Sequence, residues 1–158
     1  MIAAIETSVI SYHGQGWAGA LARSCAGARR SIYLSALSLH PPTPNAQGEW
    51  PELWRAWCAA VQRGVTVDMW LPAPSPVHPA TARNSTAGRT ASEAGITMHY
   101  VTGVKLLHAK SAVIDAAEIW IGSGNFTAAA AHHNHEAYLQ AICPRIAHEL
   151  ISRWKSLA

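Results

Sequence analysis

Apolar and polar residues follow two rhythms along this chain, one of period near 3.6 and one of short unbroken apolar runs. From 16 to 28, Trp17, Leu21, Cys25 and Ala28 recur at helical spacing, and Arg29 and Arg30 close the segment. The run SIYLSALSL at 31–39 predicts a buried strand, stopped by His40-Pro41-Pro42 because proline cannot continue a ladder. A loop rich in Pro, Asn and Gly leads to a second helix near Pro51, a residue favoured in the first turn. Its stripe is Leu53, Trp54, Trp57, Cys58 and Val61, and Gly64 ends it. VTVDMWL at 65–71 is the next strand, followed by a loop with four prolines at 72–79. An Ala- and Thr-rich helix is expected over 80–94, ended by Gly95, then a strand at 96–101. Two apolar runs at 108–114 and 118–121 flank a turn at Asp115–Ala117. A small loop and helix at 122–131, a strand at 136–142 and a helix opening at Pro144 complete the chain. In that last helix Ile146, Leu150, Trp154 and Leu157 share a face.

This alternation predicts an α/β fold: a mixed, mostly parallel central sheet flanked by helices on both faces. With 158 residues, of which 49% are apolar, the expectation is one domain spanning 1–158 with a real core. Charged residues make up 13%, against roughly 25% in ordinary soluble domains, so long uncharged stretches should be buried or covered by a partner subunit. The net charge of +3, with Arg supplying most of the cations, suits an anionic substrate. Cys25, Cys58 and Cys143 are odd in number and far apart, which argues against a disulfide framework and a zinc–cysteine site. The N-terminus has no basic region and Glu6 interrupts it, so no leader is expected; nor is any run of about 20 apolar residues present to insert in a membrane. Cytoplasm is the expected compartment.

The chemistry is concentrated in HAKSAVIDAAEIWIGSGNF, residues 108–126. His108 and Lys110, two apart on a strand, should point to one face, and Ser123 and Asn125 should sit on the loop after the next strand. A hairpin through Asp115 would bring the pairs together. An imidazole can attack phosphorus, while an ammonium, a hydroxyl and an amide hold the non-bridging oxygens as charge builds. No cluster of carboxylates suggests a metal in that role, and no cofactor is expected. Asp115 is expected to pin the turn, with Gly122 also structural.

His108, Lys110, Asp115, Gly122, Ser123 and Asn125 match HxKxxxxDxxxxxxGSxN, a pattern that chance would produce with probability on the order of 10⁻⁶ in a chain this long. The chain thereby resembles the phospholipase D superfamily. Asn134-His135-Glu136 resembles the family's N-x-E run, which implies that Glu136 orients the histidine. The similarity extends over roughly 16–156, though its other segments are less specific. The family's active site needs two motifs, and this chain has one. Resemblance to the small nucleases of the family therefore implies a homodimer in which two copies of His108 meet, one forming a phosphohistidine and the other serving as acid and base.

Other residues invite weaker readings. His132, His133 and His135 form a tempting cluster, but zinc would need a further ligand and none stands out. Trp17, Trp54, Trp57 and Trp154 lie on apolar helix faces, whereas Trp50 and Trp70 border loops where they could stack on bases. Arg55, Arg63, Arg83 and Arg89 are ordinarily solvated; Arg55, Arg83 and Arg89 are the candidates for phosphate contact. The leading expectation is a metal-independent, dimeric endonuclease acting on DNA or RNA. The alternatives are a phospholipid phosphodiesterase or phosphatidyl transferase, and a non-catalytic nucleic-acid-binding module.

Overall fold

The computed structural model describes residues 8–102 and 106–157. The N-terminal stretch read for a leader, including Glu6, lies outside the described residues up to position 7. The elements in chain order are β1 (Val9–Gly14), α1 (Trp17–Gly27), β2 (Ser31–Ser35), α2 (Glu49–Gln62), β3 (Thr66–Pro72), α3 (Asn84–Glu93), β4 (Thr97–Val101), β5 (Lys110–Ile114), β6 (Glu118–Gly122), α4 (Ala128–His132), β7 (Glu136–Ile142) and α5 (Pro144–Lys155).

The strands form a seven-stranded sheet in the order β1-β7-β6-β5-β2-β3-β4. The α/β class and mixed sheet are as expected, but the sheet is not mostly parallel. Only β2–β3 and β3–β4 run parallel, while the other four pairings are antiparallel. A parallel pair needs a crossover long enough for a helix, and the two parallel pairs are joined by such connections, through α2 and α3. After β5 the links are a tight turn and a segment carrying a five-residue helix.

Each face of the sheet carries a core. Trp17, Leu21, Trp50, Leu53, Trp57, Trp120 and Tyr138 pack with α1 and α2 on one side. Trp70, Val113, Ile119, Ala147, Ile151 and Trp154 pack under α5 on the other. Trp50 and Trp70, at 1% exposure each, are core residues and not available for stacking on bases. Burying a large apolar side chain is worth about 1.5–3 kcal/mol, which both indoles realise inside the core. Glu49, in the first turn of α2, turns its Oε2 to the N–H groups of Gly16 and Gly19 at 3.2 and 3.4 Å. A carboxylate thereby sits at the positive end of α1.

Three boundaries differ from the sequence pattern. β1 was not expected; it is an edge strand, antiparallel to β7, with Val9 and Ile10 more than half exposed. The strand begun at Ser31 leaves the ladder after Ser35, because the N–H groups of Leu37 and Ser38 donate instead to Asn125 Oδ1, both at 3.2 Å. The 80–94 helix divides into a 3₁₀ turn, Pro79–Thr81, and α3. The break falls at Asn84, whose buried Nδ2 donates to Leu37 O and Pro72 O at 3.0 Å each.

Candidate active site

The motif occupies the end of the sheet where β2 stops and β5 begins. His108 precedes β5 and is not on the strand, so strand alternation does not set its direction. Lys110 is the first residue of β5 and is 6% exposed. Its Nζ lies 2.9 Å from His108 Nδ1 and 3.0 Å from Nε2, so the ammonium faces the ring edge and donates to whichever nitrogen carries the lone pair. Burial lowers the pKa of Lys110 below its ordinary value, and the negative charge of Glu136 works against that shift. Ser35, at the end of β2, fixes the approach to the strand by donating its hydroxyl to Ala109 O at 3.1 Å.

An open pocket of ≈ 400 Å³ lies over these groups, lined by His108, Lys110, Ser111, Ile121, Ser123 and Leu150 among others. Ser123 follows β6, and its hydroxyl donates to Glu136 Oε2 while accepting the Ala137 N–H at 3.1 Å. Asn134 Nδ2 donates to Glu136 Oε1 at 2.9 Å. Both Glu136 oxygens are thus bonded to Ser123 and Asn134, and the ring of His108 is bonded to Lys110. The direct Glu136–His108 bond implied by resemblance is not made in the single chain. Asn125 is likewise engaged, its Oδ1 holding the 37–38 backbone.

Gly122 lies directly across the ladder from Lys110 on one side and Tyr138 on the other. A Cβ there would come within 2.4 Å of Tyr138 Cγ and 2.6 Å of Ala137 O, so the motif glycine is required by space. The Tyr138 ring stacks on Trp17 at 4.3 Å and its hydroxyl donates to Gly124 O. Burial, reinforced by the Glu136 charge, pushes the phenol pKa far up, keeping it a donor. Ser35 and Tyr138 were missed in the sequence because both lie inside apolar runs that read as core.

Asp115 sits at the other end of β5, five residues and roughly 17 Å along the strand from Lys110. It begins a tight turn in which Asp115 and Ala116 have φ of 52° and 54°. Its carboxylate accepts the N–H groups of Arg30, Ser31 and Arg29 at 2.8, 3.0 and 3.0 Å. Burial alone would raise its pKa; those N–H groups and the Arg30 charge outweigh this and hold it below the usual carboxylate range.

The arginines separate. Arg55 donates to Ala46 O at 3.3 Å and Arg89 lies beside Tyr100, whereas Arg83 lines a cavity with His40. His132, His133 and His135 do not converge: among the described residues no three His, Cys, Asp or Glu side chains are grouped to hold a metal ion.

A seven-stranded mixed sheet that presents the HxK and GSxN parts of the motif at the open end of a hairpin, with the motif aspartate pinning its turn, defines a phospholipase D-like domain. A family model described as "Cardiolipin synthase, PLD-like domain" matches residues 23–158, and the chain belongs to that phospholipase D-like family. Among solved structures, a phospholipase D family member, Nuc from Salmonella typhimurium, superposes with a TM-score of 0.74 at 24% identity, covering 96% of this chain and 94% of that one. NucT from Helicobacter pylori gives 0.73 at 16%, covering 96% of both. Polyphosphate kinase from Porphyromonas gingivalis gives 0.64 at 17%, covering 96% of this chain and 26% of that chain. These likenesses speak for the fold. No curated protein matches the chain. Among the described residues no helix is long and apolar enough to cross a membrane.

Proposed function

We propose that the protein is a phosphodiesterase, specifically an endonuclease, whose nucleophile is His108 and whose active site is completed by a second copy of the chain. The observation that carries this is the Lys110 ammonium held against the His108 ring at the mouth of a pocket that also contains the Ser123 hydroxyl. One ring nitrogen attacks phosphorus, and an N–P bond forms as the P–O bond to the leaving group breaks. The partner subunit's His108, protonated, gives its proton to the leaving oxygen. It then takes a proton from water, which attacks phosphorus and breaks the N–P bond. Lys110 and Ser123 hold the non-bridging oxygens, and Glu136 sets the direction of the Ser123 hydroxyl. Asn125 positions the β2 exit and Asp115 the hairpin.

Surface chemistry supports the dimer. Ile121, Leu139 and Val9, at 44%, 52% and 54% exposure, lie on the sheet face that α5 covers elsewhere, and Ile121 lines the His108 pocket. A second copy placed on this face would bury apolar surface and bring two copies of His108 together.

The description of the matching family names cardiolipin synthase, which favours phosphatidyl transfer as a second reading, with the same histidine chemistry on a lipid diester. The experiment is an assay on single- and double-stranded DNA and RNA and on phospholipid vesicles, with chelator present, for wild type and His108→Ala. Cutting of nucleic acid that His108→Ala abolishes is the expected result. Full activity in His108→Ala rejects the nucleophile. Headgroup release without nucleic-acid cutting moves the assignment to the lipid reading.

A further inference from the structure

A second cavity, ≈ 460 Å³, is lined by none of the residues of the chemistry above. His40, Pro41 and Pro42 form one wall; Arg83, which caps α3, and Thr86 and Thr90 along that helix form the other. The His40–Pro42 segment also walls a third cavity of ≈ 350 Å³, which continues to Trp50, Thr127 and His132. No Asp or Glu lines either one. Arg83 differs from Arg30, Arg55 and Arg63, whose guanidinium groups donate to backbone carbonyls. Among the described residues the Arg83 side chain has no carbonyl or carboxylate partner. Burial, and next the Arg83 charge, lower the pKa of His40, so two basic groups share a cavity with no acid to balance them.

The cavity is tied to the motif through backbone. His40 N–H donates to Phe126 O at 3.0 Å, and Asn125 holds Leu37 and Ser38. Ser35, four residues before Leu39, is bonded to Ala109, the residue beside His108, so the cavity begins at most ~14 Å of chain from Ser35. We propose that this cavity is a nucleotide subsite: Arg83, Thr86 and Thr90 take a phosphate of the substrate strand beyond the scissile one, and Pro41 and Pro42 carry the adjoining sugar and base. The proposal rests on the nuclease reading. A substrate with a single phosphodiester leaves this site empty; a polymer with a phosphate at every repeat fills both.

The test measures binding of a labelled single-stranded 12-mer by fluorescence anisotropy to His108→Ala protein, with and without Arg83→Ala or Thr86→Phe. It also measures kcat/KM of the His108-intact proteins for that 12-mer against bis(p-nitrophenyl) phosphate. Arg83 and Thr86 are exposed, and far-UV circular dichroism reports retained folding. Loss of Arg83 should weaken 12-mer binding about tenfold and reduce the slope of log K against log salt by about one. The 12-mer to small-diester ratio of kcat/KM should fall by a similar factor, and Thr86→Phe, which fills the cavity, should lower it too. Unchanged 12-mer affinity in Arg83→Ala overturns the subsite while leaving the nuclease assignment standing. Absence of nucleic-acid cutting by wild type overturns both. A loss confined to headgroup release from phosphatidylglycerol vesicles overturns the nucleotide in favour of a lipid.

Discussion

Replacing Gly122 by alanine adds one methyl group at the point where the motif meets the core. Gly122 is in β6 with ordinary negative φ, so alanine meets no backbone strain and the cost is steric alone. The new Cβ would lie 2.4 and 2.5 Å from Tyr138 Cγ and Cδ1 and 2.6 Å from Ala137 O. The ring cannot rotate away, because it is stacked on Trp17 and its hydroxyl is bonded to Gly124 O. The carbonyl cannot withdraw without losing the Ser123 N–H it accepts at 3.0 Å. Overpacking costs about 1–3 kcal/mol and a lost backbone bond about 1 more, so Gly122→Ala should destabilise by roughly 2–4 kcal/mol. At this chain length that is a fall of roughly 5–15 °C in Tm, read by circular dichroism or as the urea midpoint at constant m. In a Tyr138→Ala background the ring clash is gone and the carbonyl clash remains, so the added cost of Gly122→Ala should shrink by more than about 1 kcal/mol without vanishing. A single mutant within about 2 °C of wild type, or an additive double mutant, would refute the packing account of the motif glycine.

Asp115→Asn should lower stability by about 1–2 kcal/mol at pH 7, because three backbone N–H groups lose a charged acceptor. Since the folded Asp115 pKa is depressed, its contribution is present in full above the unfolded carboxyl value near 3.9 and disappears as pH falls through the folded value; the difference between the urea midpoints of the two proteins should shrink steadily as pH is lowered below that unfolded value. Leu139→Asp places a charge on the exposed β7 face, at a residue that does not itself line the His108 pocket although it pairs with Ile121, and should convert dimer to monomer in analytical ultracentrifugation with the circular dichroism spectrum retained and nuclease activity lost. A Leu139→Asp protein that remains dimeric would remove that face as the interface.

What the sequence disclosed follows from which interactions are local. The turn at Asp115 was legible because an aspartate between two apolar runs has its own turn chemistry; the left-handed φ values and the bonds from the Arg29, Arg30 and Ser31 N–H groups come from the structure. The α1, α2 and α5 stripes were legible because they repeat within a helix. β1 was not: its partner is β7, more than 100 residues later, and its exposed Val9 and Ile10 leave no one-sided pattern. The early exit of β2 was hidden for the same reason. Nothing in SIYLSALSL tells that Asn125 will take the N–H groups of Leu37 and Ser38. The motif placed Glu136 near the chemistry, yet its bonds to Ser123 and Asn134 depend on how β6 and β7 pair. The stacking role left open for Trp50 and Trp70 falls away, because loop proximity in sequence does not imply exposure.

The sheet order explains why the chemistry gathers where it does. β2 is flanked by β3, parallel to it, and by β5, antiparallel to it. The C-terminal end of β2 and the N-terminal end of β5 lie side by side, Ser35 opposite Ser111, so the segment that leaves one strand and the segment that enters the other border the same end of the sheet. His108 and Lys110 stand on the entering segment, and His40 on the leaving one. Asn125, bonded to Leu37 and Ser38, fastens the motif loop between them. A motif whose six residues are spread over 108–125 therefore reaches, through Asn125, to the segment leaving β2 and clamps the two together. That clamp ties the reactive pocket to the Arg83 cavity, so loosening Asn125 should disturb both at once.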